Sequence, residues 1–132
     1  MKIPNLKCQI SAFCTINYTE DPDKVKQAVS NMLHDSEIQI NKNSLRATSQ
    51  NLETLSNIFQ AIHSRKTQGV YRRFLNHNLY DDSTWFYLNK QAALSNTVAL
   101  CDESDESPLG PIKVVLTSND IEQIIEWLVS ED

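Results

Sequence analysis

Residues 6–18 alternate between apolar and polar side chains almost without exception. Because the side chains of a β-strand point alternately to the two faces of a sheet, this pattern predicts one long strand with a buried and an exposed face. The exception is Phe13, a large aromatic residue on the polar parity. Either a second layer of the protein or a binding partner is needed to cover this ring. The apolar parity consists of Leu6, Cys8, Ile10, Ala12, Cys14, Ile16 and Tyr18.

The rest of the chain divides into segments with a helical or a strand-like pattern. Asp21 is a typical helix cap and Pro22 fits the first helical position, so a helix is predicted to begin there. Ser49 or Asn51 can cap a later helix, and residues 118–120 can cap the last one. Helices are predicted to begin at 21 and at 121 and to span 52–65 and 70–79. Further strands are predicted at 37–45, 84–88, 97–100 and 112–116. In the strand at 37–45, Ile38 and Ile40 are expected to face inward.

The resulting order, β-α-β-α-α-β-β-β-α, predicts an α+β fold with a mostly antiparallel sheet and helices packed on one face. Three consecutive strands near the C-terminus have short connections, which favour antiparallel hairpins. Such a sheet can leave its other face open to water or to a ligand. In strand 84–88, Trp85 and Tyr87 share the parity opposite to Phe86 and Leu88. The pattern leaves open which pair faces the helices. With 132 residues and no linker or repeat, residues 1–132 are expected to form a single α+β domain.

The sequence contains no recognisable set of catalytic or metal-binding residues. Its two glycines, Gly69 and Gly110, are too few for a glycine-rich phosphate loop, which needs several close backbone approaches. The histidines, His34, His63 and His77, lack metal-ligand spacing, and no serine or cysteine lies in a nucleophile motif. We therefore predict a protein that is not an enzyme, with no catalytic residue, no metal and no cofactor. A hydrolase or nuclease ranks lowest among the alternatives.

The sequence also favours a cytoplasmic protein with no membrane contact. No apolar run approaches the ~20 residues that a bilayer span needs, and the N-terminal residues do not resemble a signal peptide. The chain has three cysteines, an odd number, and no two of them form a CxxC motif. They are Cys8, Cys14 and Cys101. They are expected to be buried thiols rather than disulfides or metal ligands.

The net charge of −5 conceals a basic middle segment. Residues 42–90 contain seven basic and three acidic residues, net +4, whereas residues 91–132 contain one basic and nine acidic residues. The acidic stretch 102–108 is predicted to be a mobile hairpin tip, because like charges at this density oppose packing. The basic segment is either a solvated helix surface or an RNA-binding patch, because a local patch rather than the total charge governs binding. Its candidate phosphate contacts are Lys42, Arg46, Arg65, Lys66, Arg72, Arg73 and Lys90, with Trp85 or Tyr87 stacking on unpaired bases.

Three short motifs occur in order along the chain. They are Tyr18-Thr19-Glu20-Asp21 followed by Lys24-Val25 and Ala28-Val29, then Phe86-Tyr87-Leu88-Asn89-Lys90-Gln91-Ala92-Ala93, and then Leu109-Gly110-Pro111-Ile112-Lys113-Val114. Together they resemble an archaeal family of predicted exosome subunits or RNA-binding proteins, over nearly the whole chain. That family often has a glycine-histidine-tyrosine-glycine-asparagine run after its second strand. The corresponding residues here are 47–51, where the asparagine alone is kept.

The resemblance implies a fold similar to the ribosomal protein that binds the smallest ribosomal RNA, and a role in RNA binding or processing. With the basic segment, it leads us to predict a non-catalytic RNA-binding domain that acts as an accessory factor of RNA processing or degradation. The alternative is a protein-interaction or homodimerisation module without an RNA role. Such a module would use an exposed sheet edge or the face that carries Phe13.

Overall fold

A computed structural model of the protein describes residues 1–102 and 109–131. The strands are β1 (Gln9–Thr15), β2 (Glu37–Asn41), β3 (Ser44–Ser49), β4 (Ser83–Asn89), β5 (Leu100–Cys101) and β6 (Pro111–Thr117). The helices are α1 (Pro22–Met32), α2 (Ser56–Ser64), α3 (Gln68–His77), α4 (Lys90–Leu94) and α5 (Ile121–Leu128), and a 3-10 turn, Leu52–Leu55, precedes α2.

The strands form one sheet in the order β2-β3-β1-β6-β4-β5. Every neighbouring pair is antiparallel, so the predicted α+β fold with an antiparallel sheet is confirmed. The strand nearest the N-terminus, β1, lies inside the sheet between β3 and β6. Residues from the N-terminal, middle and C-terminal parts of the chain therefore meet on the same surface.

The core lies between one face of the sheet and the helices. The apolar parity predicted for residues 6–18 is buried from Cys8 to Ile16. Leu6 is partly buried, and Tyr18, beyond the end of β1, is 99% exposed. The apolar stripes of α1 and α5 belong to the same buried cluster, with Val29 and Ile124 fully inaccessible to water. Removing this apolar surface from water stabilises the fold by roughly 25 cal/mol per Å². Strands β1, β3, β4 and β6 accordingly each turn one set of alternating side chains toward the helices.

The predicted helix starts are confirmed in part by their hydrogen bonds. Asp21 accepts a hydrogen bond from the backbone amide of Asp23, and Pro22 occupies the first helical position. Of the two candidates for the next cap, Asn51 takes the role and accepts from the amide of Glu53. At the last helix, the Ser118 hydroxyl accepts from the amide of Asp120.

The prediction of a single strand at 37–45 is wrong, because this segment holds β2, a turn and the start of β3. Lys42 adopts a left-handed backbone conformation with φ 55°, which reverses the chain. As a result β2 is an edge strand. Ile40 is paired with the buried Leu45 and so lies on the helical face, as predicted, but at the edge of the sheet it remains 46% exposed. The actual element order is therefore β-α-β-β-α-α-β-α-β-β-α.

Helix α4 was also missed, because its five residues are too few to show a periodic stripe. The short strand predicted at 97–100 is observed as two residues, Leu100–Cys101, and overlaps the prediction only at Leu100. The predicted acidic hairpin tip falls mainly on residues 103–108, which lie outside the described residues. In the described part of the chain, no helix has the length and apolarity that crossing a membrane requires.

Candidate nucleic-acid interface

The sheet has a second face, turned away from the helices, which we call the open face. Phe86 and Leu88 of β4 are fully buried against the helices, so Trp85 and Tyr87 point to the open face. Its side chains are half-buried or exposed, in contrast to the buried parity behind them. The central residues of the open face are Ser11, Phe13, Arg46, Thr48, Trp85, Tyr87, Lys113 and Val115.

Four of these residues form a row across the middle strands of the sheet. The strand register places Arg46 of β3 opposite Phe13 of β1, Phe13 opposite Lys113 of β6, and Lys113 opposite Tyr87 of β4. Neighbouring strands lie about 4.8 Å apart, so the row spans roughly 14 Å. The order along it is cation, aromatic ring, cation, aromatic ring. We call Arg46, Phe13, Lys113 and Tyr87 the transverse row.

The cations of the transverse row contact aromatic rings. The guanidinium carbon of Arg46 lies 4.3 Å from the centroid of the Phe13 ring. Nζ of Lys113 lies 4.7 Å from the centroid of a Trp85 ring, and Trp85 is itself 4.9 Å from the ring of Tyr87. Within the described residues neither cation makes a salt bridge. Both charges are therefore available to an anionic ligand.

The other predicted phosphate contacts lie elsewhere. Lys42 is exposed in the β2–β3 turn, beside the open face. Arg65 and Lys66 follow α2, and Arg65 donates a hydrogen bond to the carbonyl oxygen of Val98. Arg73 is exposed on α3, on the helical side of the molecule. The structure thus distributes the basic middle segment over two sides of the protein.

Arg72 of α3 forms a bidentate salt bridge with α5. Its guanidinium donates to both carboxylate oxygens of Glu126, at 2.6 and 3.1 Å, and to the carbonyl oxygen of Val129. The hydrogen bond from Arg72 holds the pKa of Glu126 below its ordinary value. These contacts join α3 to α5, so Arg72 has a structural role.

Lys90 lies in the interior, with only 3% of its side chain exposed. Its ammonium donates to Glu20 at 3.0 Å and to the carbonyl oxygens of Thr15 and Leu109 at 2.8 Å each. Three acceptors satisfy the three donors of an ammonium group. The same group lines a cleft of about 270 Å³ beside α1 and α4, away from the open face.

The partner of Lys90 is also enclosed. Burial by itself raises the pKa of Glu20, but hydrogen bonds from the backbone and side chain of Asn17 and from Lys90 outweigh it and hold the pKa below its ordinary value. One carboxylate oxygen accepts all three of these donors. The resemblance motifs that contain Glu20 and Lys90 thus meet in one buried ion pair, which fixes the end of β1 to α4.

Sequence reasoning missed Lys113, because it is the one basic residue in the acidic final third of the chain. The alternation of side chains in the last strand could have identified Lys113. Lys113 alternates with the buried residues Ile112 and Val114, so its parity assigns it to the face opposite the core. Phe13, which breaks the alternation of β1, carried the same signal.

Two cysteine thiols and one contact between a histidine and a serine, all within the described residues, bear on catalysis. Burial raises the pKa values of Cys8 and Cys14 to about 11, so at neutral pH these thiols are protonated and unreactive. Nε2 of His34 lies 2.5 Å from the hydroxyl of Ser56, but Asp35, beside the other ring nitrogen at 3.4 Å, is 94% exposed. This contact joins the end of α1 to α2. The described residues contain no cluster of three His, Cys, Asp or Glu able to hold a metal.

Comparisons with known proteins point in one direction. The model of a family described as RNA binding matches residues 9–118. A UPF0201 protein of Methanothermobacter thermautotrophicus is 40% identical over 116 residues, which cover 88% of this chain and 86% of that protein. A UPF0201 protein of Metallosphaera sedula is 31% identical, over 86% of this chain and 81% of its own length.

Solved structures share the fold. The crystal structure of an uncharacterized UPF0201 protein matches with a TM-score of 0.79 at 25% identity, over 93% of this chain and 94% of the other. That of a UPF0201 protein from Methanococcus jannaschii gives the same TM-score at 23% identity, over 94% of each chain.

Proposed function

Since the chain belongs to the UPF0201 family of archaeal proteins, which its family model describes as RNA binding, we propose that it is a non-catalytic RNA-binding domain whose interface is the open face of the sheet. The transverse row is the observation that carries the proposal. It alternates the two kinds of side chain that RNA requires, cations for phosphates and aromatic rings for bases.

The proposed interface keeps part of the set predicted from the sequence. Arg46, Trp85 and Tyr87 are retained, with Lys42 at the rim, and Phe13 and Lys113 are added. Arg65 and Lys66 follow α2 and Arg73 lies on α3, both on the helical side, and we assign them no primary contact. Arg72 and Lys90 are left out because their donors are used by protein acceptors.

The decisive experiment compares the basic residues of the open face with those of the helical side. One variant carries Arg46→Gln and Lys113→Gln on the open face, and the matched control carries Arg65→Gln, Lys66→Gln and Arg73→Gln on the helical side. We expect the first to bind labelled RNA about ten-fold more weakly at low salt, because two phosphate contacts are lost. The control should stay within about two-fold of the wild type. A larger loss in the control places the interface on the helices, and no binding by the wild type refutes RNA binding.

The finer role we propose is that of an accessory factor in RNA processing or degradation in the cytoplasm. A domain that holds unpaired RNA without cutting it can deliver or retain a substrate for a separate enzyme. Purification of the tagged chain from an archaeal host, before and after ribonuclease treatment, tests this role. Co-purification of a processing or degradation enzyme supports it, and its absence in both samples contradicts it.

The second candidate function is self-association through the same side of the sheet. It is favoured by the partly exposed ring of Phe13 on the open face and by the edge strand β2, which has a strand neighbour on one side only within the described sheet. Light scattering on the wild type and on Phe13→Glu separates the candidates. If the wild type is a dimer and Phe13→Glu is a monomer, self-association through the open face is supported. A monomeric wild type excludes self-association.

A further inference from the structure

Two aromatic rings on the open face are each covered by a cation of the protein itself. Arg46 lies over Phe13, and Lys113 lies over Trp85. At an exposed site a cation on a ring is a weaker contact than a nucleic-acid base stacked on it. A base can therefore displace each cation. The displaced cation is then well placed to bind the phosphate of the incoming nucleotide.

A depression beside Phe13 offers room for such a base. It has a volume of about 290 Å³ and is lined by Phe13, Arg46, Gln39, Asn41 and other residues of β1, β2 and β3. Gln39 and Asn41 are exposed on the same face of the sheet. Their side-chain amides carry both donors and acceptors, as the edge of an unpaired base does.

The charge of the open face is too small to retain a duplex through its phosphates alone. Among the described strand residues of this face, Arg46 and Lys113 supply the positive charge and Glu37 opposes it. Two neutralised phosphates correspond to a slope of log affinity against log salt of only about −1.8 for a duplex and about −1.4 for a single strand. Bases inside a duplex are already stacked and cannot occupy the rings.

We infer that the ligand of the open face is unpaired RNA, with one base stacked on Phe13 and another on Trp85 in place of Arg46 and Lys113. This inference rests on the proposed function, because it specifies which form of RNA the same face takes. Binding exchanges two contacts between cations and rings for two stacked bases and two neutralised phosphates. The stacked bases supply most of the affinity, and the phosphates supply a small salt dependence.

A single-tryptophan protein tests the exchange. The chain has two tryptophans, and Trp127 packs on Phe59 and donates to the carbonyl oxygen of Lys2, away from the open face. In Trp127→Phe, fluorescence therefore reports on Trp85 alone. The probes are a short single-stranded RNA and the same RNA annealed to its complement, each titrated at about 50 and 200 mM salt.

We expect the single strand to quench Trp85 and to bind at least about ten-fold more tightly than the duplex, with a salt slope near −1.4. Lys113→Met in the same background should reduce the slope by about 0.7, because one cation is lost. Lys26→Met, an exposed lysine of α1, is the matched control and should leave the slope and the quenching unchanged.

Each other result has a distinct meaning. Duplex binding that equals or exceeds single-strand binding overturns the inference and leaves the proposed function intact. Binding without a change in Trp85 fluorescence overturns the stacking, and an unchanged slope in Lys113→Met overturns the exchange of the cation. Binding of neither RNA overturns both the inference and the proposed function.

Discussion

Phe86 and Tyr87 are neighbours in β4, yet they belong to opposite faces of one sheet. Phe86 is fully buried and meets the ring of Tyr71 edge-on, with 5.9 Å between the centroids. Tyr87 is partly exposed, lies 4.9 Å from Trp85 and is paired in register with Lys113. The core face thus uses aromatic residues for packing, whereas the open face sets them beside cations.

The two lysines with defined contacts show the same contrast. Lys90 is buried and gives all its hydrogen bonds to protein oxygens, so its charge is neutralised internally. Lys113 lies over an aromatic ring at the surface, where its charge remains accessible. Residue type alone therefore does not identify a binding residue; the acceptors that surround each charge decide whether it can reach a ligand.

The largest expected difference between the two faces concerns stability. Phe86→Ala should lower the free energy of unfolding by about 3–5 kcal/mol, because it leaves a cavity in the core. Tyr87→Ala should lower it by about 1 kcal/mol or less, since a partly exposed ring is lost. Urea unfolding of both variants measures the difference. Equal losses would show that the open face is as tightly packed as the core.

The next largest difference is expected between the stability effects of replacing Lys90 and Lys113. Lys90→Met should destabilise the protein by about 3 kcal/mol, because Glu20 would remain buried without its partner. Lys113→Met should cost less than about 1 kcal/mol, the magnitude of an exposed contact between a cation and a ring. Thermal unfolding at constant salt measures both. A stable Lys90→Met protein would contradict the structural role of the ion pair.

For RNA affinity, unlike stability, substitutions on the open face should have the larger effect. Tyr87→Ala should weaken RNA binding by about 1 kcal/mol, because its ring lies 4.9 Å from Trp85 and supports the ring on which a base stacks. The matched control is Tyr18→Ala, because Tyr18 is 99% exposed in the β1–α1 connection and off the open face. Fluorescence anisotropy with a labelled single strand compares them. Equal losses in the two variants would remove Tyr87 from the interface.

The smallest contrast is the pH dependence contributed by Glu20. Its pKa is lowered in the folded protein, so the unfolded chain binds more protons in acid. This contribution to stability is present above the ordinary value of 4.5 and is lost as the pH falls through the folded pKa. Urea unfolding between about pH 6 and 3 should therefore give a flatter curve for Glu20→Gln than for the wild type. Parallel curves would contradict the shift.

Much of the fold follows from local patterns. The alternation in β1 and the apolar stripes of α1 and α5 were recognisable because each repeats the geometry of its own element. The hairpin at 37–49 was not recognised, because the turn at Lys42 uses a left-handed conformation that has no glycine to mark it. Helix α4 was too short to show a period.

The candidate site was less predictable, because its residues come from distant parts of the chain. Arg46, Trp85 and Tyr87 were selected for their charge or ring, and so was Lys90, which is buried. Lys113 was passed over because its neighbours in sequence are acidic or apolar. A count of charges along the sequence does not detect residues that become neighbours only when strands pair.

The sequence by itself determined the type of most elements, the absence of recognisable catalytic motifs, and the division of each strand into two parities. It did so because side-chain direction and hydrophobic period are local properties of the backbone. The tertiary structure decided that Phe86 faces the helices, that Lys90 meets Glu20, and that Arg46, Phe13, Lys113 and Tyr87 form one row. These outcomes depend on strand order and register, which are set by packing the whole core and not by any one segment.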